Sequence, residues 1–118
     1  MRVEYHKLVR DRIPDLIRER GGRPATRVLD APSYHVALLA KLVEEAAEAR
    51  QAADADLPGE LADVLEVLRA LAASAGLTWD QLQAAADTKR NHRGGFTSRL
   101  FLEYVDQAGS GGAAAMPG

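Results

Sequence analysis

In the stretch EEAAEARQAADADLPGELAD, residues 44–63, two helix-forming runs meet at Pro58 and Gly59. Each carries a pair of acids three residues apart, Glu45 with Glu48 and Glu60 with Asp63. With residues spaced about 100° around a helix, Val64, Val67, Leu68 and Leu71 all fall within roughly 80° of Glu60. Glu60 therefore stands inside the apolar stripe, and Asp63 at its margin, about 60° away. On the preceding run, Leu38, Leu42 and Ala49 fall within roughly 60° of Glu45 on one side, and Glu48 lies about 60° away on the other. An ionised carboxylate among apolar side chains costs several kcal/mol unless a cation or good donors compensate it. Helices joined by a short turn pack antiparallel, so the two acid pairs are expected to face each other across one groove.

Four hard oxygen donors without histidine or cysteine suit Mg²⁺, or Mn²⁺, better than zinc. His6, His35 and His92 lack helical ligand spacing and read as ordinary polar residues. Glu66 falls on the solvated side, whereas Glu44 is an auxiliary acid within reach of a second ion or its water. The competing reading pairs these acids with Arg50, Arg69 or the basic terminal segments, which would put all of them on the exposed arc.

Outward from the acids, charge alternates in blocks. Residues 2–23 carry seven Lys or Arg against four acids, residues 30–66 two against nine, and residues 87–99 four against one. A carboxylate-bound cation leaves positions for phosphate oxygens. The flanking cations Lys7, Arg10 and Arg12, and Lys89 and Arg93 at the end of the last helix, are the candidates to bind those phosphates. Cations also favour a helix C-terminus for its dipole alone, which accounts for part of the second cluster.

The remaining punctuation divides the chain into helices. Pro14 suits the first turn of a short helix that Gly21-Gly22 ends. Ser33 is the expected N-cap of a long helix to about Ala53, Pro58 opens another that runs to Gly76, and Thr78 with Gln81 forms a capping box for a fourth, to about His92. Thr26 to Leu29 can add a short strand, and TSRLFLEYV (97–105) suits either a strand or a last helical turn. The fold expected is mainly α: one domain over residues 1–107, with one or two short strands near the termini, then a disordered tail over 108–118.

Composition agrees. The chain has 118 residues, 47% hydrophobic with only 5% aromatic, which favours helices packed by alanine and branched side chains over a β-sandwich. It has no cysteine, and its start, MRVEYHKLVRDR, is charged from the second residue, so a cytoplasmic protein without a membrane span is expected. Nucleic-acid binding is disfavoured, since the acidic centre repels a phosphate backbone and stacking aromatics are scarce. Trp79, Tyr5, Tyr34, Phe96 and Phe101 could stack on a base, but such residues more often serve a core or an interface.

The pattern EExxE, here Glu44-Glu45-Ala46-Ala47-Glu48, followed after eleven residues by ExxD, Glu60-Leu61-Ala62-Asp63, resembles the all-α MazG-like nucleoside triphosphate pyrophosphohydrolases. KLVRDRIP near the start and KRNHRGGF near the end resemble its phosphoribosyl-ATP pyrophosphohydrolase-like branch, so the likeness covers roughly residues 5–105. The resemblance implies a helical bundle completed by assembly into a homodimer or homotetramer. It implies magnesium ligands at Glu45, Glu48, Glu60 and Asp63, and cleavage between the α and β phosphates of a noncanonical nucleoside triphosphate to a monophosphate and pyrophosphate. Glu45 or Glu48 would hold or deprotonate the attacking water. The alternatives are hydrolysis of phosphoribosyl-ATP in histidine biosynthesis and a noncatalytic, nucleotide-binding dimerisation module.

Overall fold

The structure, a computed structural model that describes residues 1–107, contains four α-helices: α1 (Ile13–Glu19), α2 (Ala31–Gln51), α3 (Leu57–Ser74) and α4 (Trp79–Arg93). Among the described residues there is no strand, so the fold is mainly α without the two short strands considered for residues 26–29 and 97–105. A β-segment needs a partner ladder for its N–H and C=O groups, and neither segment finds one. Val28 is almost fully exposed. The tail expected over 108–118 lies outside the described residues.

Local chemistry sets the helix ends. Asp30 caps α2, its carboxylate accepting from the Ser33 N–H at 2.8 Å, with Pro32 in the first turn. Ser33 is thus three residues inside the helix and is not its N-cap, because the aspartate upstream already satisfies the first-turn donor. That hydrogen bond, first, and the nearby Arg27 charge hold the Asp30 carboxyl below the usual aspartate range. The capping box before α4 forms in both directions: Gln81 N–H donates to Thr78 Oγ1 at 3.1 Å, and Gln81 Oε1 accepts from Thr78 N–H at 2.9 Å. Helix α3 ends on Gly76, whose φ of +76° turns the chain so that Leu77 N–H reaches back to the Ala72 carbonyl at 2.8 Å. Gly21, with φ of +87°, closes α1 in the same way.

The described chain forms two compact units, Met1–Gln83 and one that begins at Ala84. In the first, α2 and α3 pack against each other and run antiparallel: His35 near the start of α2 meets Ser74 at the end of α3, Nδ1 to Oγ 3.1 Å. Residues 52–56 form the short turn between them. The buried apolar side chains are Leu38, Val67 and Ala72, which is a thin core. Helix α2 also turns a second apolar row outward, with Val36, Leu39 and Val43 all exposed, and α3 exposes Leu61 and Leu65. In the second unit Phe96, Leu100 and Phe101 are exposed. No helix among the described residues is long and apolar enough to cross a membrane.

Candidate metal centre

The interhelical face of α2 and α3 brings Glu45, Glu60 and Asp63 together, with one carboxylate oxygen of each within 4.8 Å of the others. Glu45 is 6% exposed and is the buried charged residue of this face. Its position follows from the wheel: Leu42 and Leu38 lie one and two turns toward the N-terminus on the same face, and the helix contact that buries Leu38 and partly covers Leu42 buries Glu45 too. Glu60, in the first turn of α3, is half-buried. Two oxygens here, Glu45 Oε2 and Glu60 Oε2, are buried and have no hydrogen-bond partner. A buried carboxylate oxygen without a partner forfeits its hydration and gains nothing in return. These two orphaned atoms sit within a three-carboxylate, all-oxygen donor set, and they fit a hard divalent cation such as Mg²⁺.

Cations of the N-terminal segment and of α2 pair with Asp63, Glu44 and Glu45. Arg10 donates to Asp63 Oδ1 at 2.7 Å. Lys7 and Lys41 both approach Glu44 Oε1, at 3.3 and 3.5 Å, and Lys41 Nζ lies 3.1 Å from Glu45 Oε1. Burial alone would raise the Glu44 carboxyl, but Lys7 and Lys41 outweigh it and hold Glu44 below the usual glutamate range. Burial likewise works against the Lys41 ammonium, and its bonds to Glu45 and Glu44 outweigh that to raise it. The competing reading of the acids as partners of the basic N-terminal segment therefore holds for Asp63 and Glu44. Arg50 and Arg69 make no ion pair with these acids among the described residues; Arg69 instead stacks on the Trp79 ring at 4.4 Å.

Glu48 departs from the expected four-ligand set. It is exposed and lies outside the three-carboxylate cluster, consistent with its place at the far margin of the α2 stripe. It is nonetheless close enough to feel the others: the Glu45 charge first, then partial burial, a hydrogen bond with Glu45 and the charges of Glu60 and Glu44 push its carboxyl above the usual range. Among the basic candidates, Lys7 and Arg10 reach the acid groove, whereas Arg12 stays at the N-cap of α1 and joins no ion pair among the described residues. Lys89 and Arg93 lie on α4 in the second unit, both exposed. His6 pairs with Glu4 and His35 with Ser74, so neither enters the cluster.

Lys41 is the residue that the reading of the sequence passed over. Its signal is the KLVEE spacing, which sets a cation three and four residues before the two acids and so on their face of the helix.

No known family model matches the chain, and no solved structure matches it. An uncharacterized protein of Mycolicibacterium smegmatis is 54% identical to it over 55 residues, which make up 45% of this chain and 56% of that protein. The chain thus spans little more than half the length of this relative, whose description carries no activity.

Proposed function

We propose that this chain is a magnesium-dependent nucleotide pyrophosphohydrolase of the MazG-like kind, cleaving nucleoside triphosphates between the α and β phosphates to a monophosphate and pyrophosphate. The observation that carries this reading is the pair of buried carboxylate oxygens without partners, on Glu45 of α2 and Glu60 of α3, in two residues whose carboxylates cluster with that of Asp63. A resident divalent ion supplies charge neutralisation and Lewis-acid polarisation of a phosphoryl oxygen. Glu45, Glu60 and Asp63 are the residues that would hold it.

The chain's own side chains fill the other roles. Glu48, exposed beside the cluster and with its carboxyl held above the usual glutamate range by the Glu45 charge, is suited to take a proton from an attacking water. Arg10 and Lys7 come from the N-terminal segment, and each already rests on an acid of the groove; they are placed to exchange that acid for a phosphate oxygen. Val36, Leu39, Val43, Leu61 and Leu65 leave apolar surface on the same two helices that a core this thin does not cover, which supports a homo-oligomer that buries it.

The test is a turnover panel. Canonical, oxidised, deoxyuridine and phosphoribosyl nucleotides are incubated with Mg²⁺ or Mn²⁺, and pyrophosphate and monophosphate are quantified separately. Equimolar release of the two supports the reading. No turnover of any nucleotide with either metal favours a noncatalytic binding module instead.

A further inference from the structure

Lys41 is the least exposed cation of the acid groove, its side chain 18% accessible, and it touches two carboxylates of different standing. One, Glu45, is buried and belongs to the three-carboxylate cluster; the other, Glu44, is one residue away, more exposed, and outside that cluster. The ammonium therefore lies between a carboxylate that fits a metal and one that does not. Lys41 also lines a cavity of about 220 Å³, together with Ala37, Ala40, Lys7 and Glu44 but not Glu45.

We infer that Lys41 is the built-in counter-ion of the metal-free site: it neutralises Glu45 until a divalent cation enters, then shifts onto Glu44, which serves as its acceptor and not as an auxiliary metal ligand. This rests on the metal reading proposed above and deepens it. The physical logic is competition between two cations for one carboxylate. A charge as buried as that of Glu45 needs compensation in the absence of metal, and an ammonium tethered four residues away on the same helix supplies it without leaving the fold. An ion taken up at the unpartnered Oε2 of Glu45 repels the ammonium held at Oε1, and the cost of moving that ammonium falls if it keeps a second carboxylate already in reach. Glu44 Oε1, 3.5 Å from Nζ, is that second carboxylate. Lys7 shares the same oxygen and fixes its position.

The experiment is Mn²⁺ binding, followed by electron paramagnetic resonance on the full chain without nucleotide, in the wild type, Lys41→Met, Glu44→Gln and the double variant, with Lys41→Gln as a replacement should Lys41→Met fail to fold. Removing the competitor is expected to tighten Mn²⁺ binding by about tenfold, a typical coupling between two sites. Glu44→Gln is expected to weaken binding, because Lys41 is then left with Glu45 alone. In the double variant most of that weakening should vanish, since Glu44 acts through Lys41. Unchanged or weaker Mn²⁺ binding without the lysine overturns the inference. So does a Glu44→Gln penalty that persists in full in the double variant, which would make Glu44 a direct partner of the ion. If Mn²⁺ binds neither the wild type nor any variant, the metal reading itself fails and this inference with it.

Discussion

Arg10 of the N-terminal segment donates to the Asp63 carboxylate of α3 across 2.7 Å, joining residues 53 positions apart in the chain. The contact ties the segment before α1 to the first turns of α3 at the edge of the acid cluster. Both side chains are about half exposed, so the pair adds about 1 kcal/mol or less to stability. Arg10→Ala should therefore barely move the melting temperature. If Arg10 exchanges Asp63 for a phosphate, the same variant should raise the nucleotide KM several-fold while changing kcat much less. A loss confined to stability, with KM intact, would remove Arg10 from substrate binding.

Glu60→Gln removes one of the two unpartnered buried oxygens and one negative charge from a cluster that repels itself. Metal-dependent turnover should fall by more than the roughly 10–100-fold typical of outer-shell partners, because a direct ligand is lost. Without metal, the variant should melt at the same temperature as the wild type or higher, since an uncompensated buried charge has gone. Wild-type activity in Glu60→Gln would contradict the assignment.

Glu48 carries a pH signature. The neighbouring Glu45 charge raises its carboxyl in the folded state above the ordinary glutamate value, so the folded chain holds that proton more tightly than the unfolded chain does. The sign follows: ionised Glu48 costs stability above its folded value, and that cost disappears as pH falls through it. In metal-free protein, Glu48→Gln should melt above the wild type at neutral pH. The gap should narrow as pH drops through the range just above the ordinary glutamate value. A gap that does not change with pH would mean that Glu48 does not feel the cluster's charge. Adding Mg²⁺ should shrink the neutral-pH gap as well, because a cation beside Glu45 cancels the repulsion.

Val43 lies on the outward apolar row of α2 and is 71% exposed, with Val36 and Leu39 on the same side of the helix. The proposed assembly buries this row, so wild-type protein should sediment as a dimer or tetramer at micromolar concentration. Val43→Glu should shift it to monomer. A monomeric wild type would remove the assembly from the account.

Much of this arrangement was legible in the order of residues. The buried position of Glu45 and the meeting of α2 with α3 follow from helical period and a short turn, and both are local properties. The capping box at Thr78 and Gln81 is likewise a contiguous pattern, and it forms as written. What escaped was set by competition between neighbours or by distance in the chain. Ser33 lost the N-cap to Asp30 because two good capping residues stand within one turn, and the one upstream reaches the donor first. Glu48 and Asp63 both stand about 60° off their stripes, so helical spacing does not tell them apart: Asp63 joins the cluster and Glu48 stays exposed outside it. The pairing of Arg10 with Asp63 and of Lys7 with Glu44 depends on where an irregular segment crosses the helices, which no periodicity encodes. Lys41 could have been found, since its spacing to Glu44 and Glu45 is local.

The central claim, that a divalent cation belongs between α2 and α3, is tested most directly by crystals of the protein grown or soaked with Mn²⁺ and measured for anomalous scattering. The account predicts a strong peak within coordination distance of the Glu45, Glu60 and Asp63 carboxylates, with the buried oxygens of Glu45 and Glu60 turned toward it. Well-ordered helices with no peak at that position, and with those carboxylates directed apart, would contradict it.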